Sequence, residues 1–140
     1  MSAAQCHVCE GWAEAPAEAV AHRGAHWGAV AAGDVPGWLR LQTIRHGEWL
    51  WDMTGDEAAE FGPLVAALSA ALRRVTGAER VYLIALGENS LHVHALLIPR
   101  YQDTPREERG PGILATAASR ADREVAYRVA AAVRRELIAG

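Results

Sequence analysis

Apolar residues recur along this chain with two different periods. In Leu91-His-Val-His-Ala-Leu-Leu-Ile98 the period is two. Successive side chains of a strand point to opposite faces. The pattern therefore puts His92, His94, Leu96 and Ile98 on one face and Leu91, Val93, Ala95 and Leu97 on the other. The second set is wholly apolar and suits a core; the first projects two imidazoles from a rigid element. Residues 26–33 and 38–44 read as two further strands, joined through the turn residues of Asp34-Val-Pro-Gly37. Leu39 and Leu41 share a face with Thr43, while Arg40 and Gln42 point the other way, as in an antiparallel sheet with one covered face. A fourth strand is expected at about 80–86, joined to the fifth by a Gly-Glu-Asn-Ser turn.

Elsewhere the period lengthens to that of a helix. Thr54-Gly-Asp-Glu57 is a capping box, in which the hydroxyl takes an orphan N–H and the carboxylate reaches back. Phe61, Leu64, Val65, Leu68, Leu72 and Val75 follow at helical spacing, and Gly77 ends the run. Pro63 lies inside and predicts a kink near residue 60. Val125, Val129, Val133 and Leu137 form one stripe of a last helix over about 119–138. Residues 10–25 predict irregular chain with a short strand or turn, and residues 101–116 a polar loop. Strands with a helix among them and a terminal helix make an α+β fold in a single domain, residues 1–140.

Composition narrows the function classes. A chain of 140 residues can bury a sizeable core, yet alanine inflates its 51% hydrophobic content and only one Phe is present, so the five tryptophans supply much of the large packing volume. A formal charge of -3 gives no polybasic surface, so nucleic acid and acidic membranes are not expected partners. No apolar run reaches the length of a membrane span, and the first residues lack the pattern of a signal peptide, so a cytoplasmic location is expected. There a structural disulfide between Cys6 and Cys9 is disfavoured. The Cys-x-x-Cys pair reads either as half of a zinc site or as two free thiols on a frayed terminus.

The run from Gly87 to Arg100 resembles the signature of the histidine-triad (HIT) superfamily, His-φ-His-φ-His-φ-φ, often followed by Pro-Arg. His92 and His94 match the first two histidines and Pro99-Arg100 the ending, whereas Leu96 stands where the third histidine is usual. Gly87, Glu88 and Asn89 occupy the positions of the family's Gly-Gln-Ser/Thr segment. Gly37 to His46 resembles a second family segment in length and in its closing histidine. The resemblance spans roughly residues 6–105. It implies a HIT-like twisted antiparallel sheet with one long central helix and a C-terminal helix, paired as a homodimer.

The resemblance also implies chemistry. In zinc-containing HIT relatives a Cys-x-x-Cys pair is completed by two histidines at the positions of His46 and His92. Here that gives Cys6, Cys9, His46 and His92, a closed set with no open position, hence a structural zinc. His94 takes the nucleophile's position, where a neutral imidazole attacks the α-phosphorus of a nucleotide ester, anhydride or phosphoramidate. Asn89, Ser90, Arg100 and Trp38 are the expected contacts to such a nucleotide or nucleotidylated small molecule. Trp27, Trp49 and Trp51 are further candidates to stack on a base, although at least two of the four tryptophans belong in the core. Arg106 and Arg109 read as phosphate partners or as a solvated loop. Leu96 should line the cleft floor and Glu88 should repel phosphate. Both therefore favour an alternative, a catalytically silent nucleotide-binding or interaction protein.

Overall fold

The computed structural model describes residues 2–140. Five strands form one sheet: β1 (Val20–Arg23), β2 (Trp27–Ala31), β3 (Leu39–Thr43), β4 (Arg80–Ile84) and β5 (His94–Arg100). Their spatial order is β1-β2-β3-β5-β4, antiparallel throughout. Helix α1 (His7–Glu14) precedes the sheet, α2 (Gly55–Thr76) connects β3 to β4, and α3 (Ala117–Arg120) and α4 (Arg123–Ala139) follow it. The fold is the expected α+β arrangement.

One face of the sheet, with Ala29, Leu39, Leu41, Val93 and Leu97, packs on Leu64, Leu68, Ala71 and Leu72 of α2 and on Ala130 and Val133 of α4. The opposite face is covered too, contrary to the single covered face read from Arg40 and Gln42. Gln42 is buried, and its amide donates to the Val8 carbonyl of α1. On the same face, a Cβ on Gly28 would sit 2.4 Å from the Trp12 ring, so glycine there is what lets α1 lie against the sheet. A second apolar cluster of Val35, Trp38, Ile98 and Ile113 closes the rest of that face.

The capping box forms as read: Thr54 Oγ1 accepts from the Glu57 N–H and Glu57 Oε2 from the Thr54 N–H. Gly77 closes α2 at a φ of 75°, in the left-handed region where glycine carries no Cβ penalty. The helix runs unbroken through Pro63. Ala59 and Pro63 both face solvent, so water can take the Ala59 carbonyl that loses its N–H partner.

Four expectations need correction. Residues 10–25 hold the expected short strand, β1, but also the second half of α1, a helix the expectation lacked. Residues 101–116 are mostly 3₁₀ turns, over 106–108 and 110–116, with Ile113 and Thr116 buried. The last helix is broken at residues 121–122, and α4 buries Ala126, Ala130 and Val133 while Val125 stays at the boundary. Finally, β5 begins at His94, so His92 belongs to the bend before it.

Candidate metal centre and adjoining cleft

Three elements bring Cys6, Cys9, His46 and His92 together. Cys6 caps α1, and its Sγ accepts from the Cys9 N–H at 3.4 Å, the geometry that a Cys-x-x-Cys turn produces at a helix start. His46 lies three residues beyond the end of β3 and His92 two residues before β5. The frayed-terminus alternative fails, because Cys6 is 1% exposed and α1 is docked on the sheet.

One ligand atom from each residue lies within 4.8 Å of every other. Sulfur-to-nitrogen separations are 3.5 Å for Cys6–His92, 3.3 Å for Cys9–His92 and 3.4 Å for Cys9–His46. A tetrahedral ion about 2.3 Å from sulfur and 2.0–2.1 Å from nitrogen sets such edges near 3.6 Å. The four residues therefore fit a metal site, and two thiols with two imidazoles are a donor set for a borderline-soft ion. The tautomer of His92 agrees. Its Nε2–H donates to the Thr43 carbonyl at 2.7 Å, which leaves the Nδ1 lone pair aimed at the sulfurs. Burial lowers the His92 pKa and favours the neutral form that a metal needs. Burial and the adjacent Cys6 push the Cys9 thiol up to about 11 without a metal; a bound cation reverses that and takes it as thiolate.

His94 opens β5 beside this cluster. Its Nδ1–H donates to the His92 carbonyl at 2.5 Å, so the Nε2 lone pair is the one left available. The ring lines a cleft of about 220 Å³. Residues 48–51, residues 85–87, His92 and Val93 complete its walls.

The structure does not gather all the expected substrate contacts here. Arg100 is buried at the far end of β5, where it pairs with Glu79 at 2.6 Å. Six residues of strand put it about 20 Å from His94. Trp38 is a core residue of the second apolar cluster, and Trp27 packs on Phe61 in the first. Asn89 and Ser90 lie on the 85–93 loop that contributes to the cleft, Asn89 exposed and Ser90 half-buried, without being among the lining residues. Leu96 packs against the second apolar cluster and pairs across the sheet with Ile84; it does not line the cleft floor. Arg109 holds its own loop by donating to the Thr104 and Gln102 carbonyls.

Sequence reasoning missed Thr43 as the partner of His92, Glu48 and Leu50 as cleft lining, and the 85–87 wall. The strand pattern shows Thr43 pointing inward, but nothing in the sequence says which histidine it would meet. Among the described residues no helix is long and apolar enough to cross a membrane.

No protein-family model matches the chain, and no curated protein matches it in sequence. Solved structures do match it. A zinc-bound histidine triad family protein from Mycobacterium smegmatis superposes with a TM-score of 0.72 at 19% identity, covering 99% of each chain. A Hit-like protein involved in cell-cycle regulation from Bartonella henselae gives 0.70 at 13% identity, over 94% of this chain and 96% of that one. The diadenosine triphosphate hydrolase of Plasmodium falciparum gives 0.65 at 14% identity, over 86% of this chain and 76% of that one. The fold is that of the histidine-triad proteins.

Proposed function

We propose that this domain is a nucleotide hydrolase or nucleotidyltransferase with His94 as nucleophile, and that Cys6, Cys9, His46 and His92 hold a structural zinc ion. The carrying observation is the 2.5 Å bond from His94 Nδ1 to the His92 carbonyl in a residue that lines the cleft. That bond is the orienting contact a nucleophilic imidazole requires. Solved structures of the same fold include a hydrolase and a uridylyltransferase, which supports the reaction class.

In the reaction the His94 Nε2 lone pair forms a bond to phosphorus. The bond from phosphorus to the ester, anhydride or amide leaving group breaks, and that group departs with the electron pair and gains a proton from water. Water or a phosphate then attacks phosphorus, and the N–P electron pair returns to Nε2. Zinc would stiffen the turn that presents His94. With both thiolates and both imidazoles engaged it offers substrate no open position. Leu96 supplies no donor to the developing negative charge, and one missing donor typically costs on the order of 10²–10³ in rate. A slow enzyme follows. The second reading, a nucleotide-binding protein without turnover, rests on that same leucine.

A homodimer belongs to this reading. Strand β4 is an edge of the sheet and exposes Leu83 at 47%, the kind of edge another chain can pair with. Light scattering of the wild type and of Leu83→Lys should show a dimer weakened by the charge.

The decisive experiment incubates the protein with nucleoside phosphoramidates and seeks a nucleotidyl adduct by mass spectrometry. His94→Ala should abolish adduct and product while keeping fold and metal content. Equal turnover in that variant removes His94 as nucleophile; nucleotide binding without turnover in the wild type selects the second reading.

A further inference from the structure

The wall of the cleft formed by residues 48–51 carries an arrangement that the nucleophile alone does not explain. Trp49 and Trp51 stack on each other with ring centroids 5.3 Å apart and planes 6° from parallel. Trp51 is nevertheless 80% exposed, and Leu86, also on the cleft lining, is 68% exposed. Large apolar side chains left in water beside a reactive imidazole need a reason. The first contribution of the stack is rigidity, since two indoles held face to face present one fixed outer plane.

The cleft's charge is equally pointed. Among the described residues Glu48 is the carboxylate on its lining and no arginine lines it, and the sequence contains no lysine. A polyphosphate chain would bring several negative charges to a wall whose described lining offers no arginine to meet them. One phosphoryl group beside His94 asks for far less. Size gives the same answer, because about 220 Å³ falls below the ~300–1,000 Å³ of pockets that enclose a whole drug-sized ligand. There is room for one ring system.

We infer that the Trp49–Trp51 stack is a specificity shelf for a planar aromatic group carried on a single phosphoryl centre, and that the domain selects aromatic monophosphate derivatives over dinucleoside polyphosphates. The reacting centre rests on the His94 reading; the shelf's binding does not. The ring can come from the nucleobase or from the leaving group, since both present the same π-face to an indole.

Four phosphoramidates separate these sources: adenosine 5′-phosphoramidates and ribose 5-phosphoramidates, each made with phenethylamine or with methylamine. Turnover and calorimetric affinity are measured for each, with diadenosine triphosphate as the polyanionic comparison. Removing the ring that the shelf holds should lower kcat/KM or affinity on the order of 10- to 100-fold. Trp51→Ala should erase that difference and Trp51→Phe should keep most of it. A ring effect that follows the base identifies the nucleobase; one that follows the amine identifies the leaving group. Ring-dependent affinity without turnover keeps the shelf and removes the catalytic reading of His94. The shelf is overturned if Trp51→Ala weakens all four compounds alike, if no ring effect appears in turnover or affinity, or if diadenosine triphosphate is the preferred compound.

Discussion

Glu57 shows how much one residue can carry beyond the role its motif announces. Its side chain is 2% exposed, and it accepts from Arg45 Nε at 2.9 Å, from the second Arg45 nitrogen at 3.0 Å and from the Thr54 N–H at 2.9 Å. Its backbone carbonyl accepts from the Trp27 indole at 2.8 Å. The Arg45 bond, chiefly, holds the Glu57 carboxyl below its ordinary value. A depressed folded pKa stabilises the protein above the unfolded value of about 4.3 and loses that contribution as pH falls through the folded value. Glu57→Gln should therefore cost about 1–3 kcal/mol at neutral pH, discounted for the half-open Arg45 side chain. Urea unfolding at several pH values should show a shallower acid limb in the variant. The capping box was legible in Thr54 and Glu57 because it is local. The Arg45 partnership was not, since it depends on where β3 ends relative to α2. The same holds for the metal cluster: the resemblance identified its four members, but the Thr43 carbonyl that orients His92 was visible only in three dimensions.

Among the elements, α1 was the least legible and is the most dependent on its surroundings. Its eight residues, with Gly11 in the second half, give a weak pattern, and so short a helix is marginal in water. It persists through its contacts: Gln42 on the Val8 carbonyl, Trp12 over Gly28, and Cys6 and Cys9 in the cluster. Removing the proposed zinc should expose residues 7–14 to amide exchange well before the α2 core, measurable by hydrogen exchange with mass spectrometry. Gly28→Val should displace Trp12 and lower stability by about 1–3 kcal/mol, seen as a reduced melting temperature. Helix α2 was legible because its caps and apolar spacing agree with each other, and it continues through Pro63. Pro63→Ala restores an N–H facing solvent and should raise stability by up to about 3 kcal/mol in chemical denaturation.

For the whole molecule, the sequence carried the sheet's composition better than its layering. Strand alternation in Leu39–Thr43 located the helix-covered face correctly, but polar Arg40 and Gln42 concealed a second covered layer, because burial of Gln42 is made tolerable by its bond to α1. Trp38 misled for a related reason, since a large aromatic next to a motif is equally a core residue or a ligand contact, and here the core took it. Under the proposed function, one contact ties the layers to the reaction. His92 gives its ring to the cysteine–histidine cluster and its carbonyl to His94. A copy without the proposed zinc would thus hold a poorly aimed His94, and under that reading a preparation would mix competent and idle copies. Specific activity should then rise in proportion to bound metal while KM stays constant, so that a metal titration counts active sites.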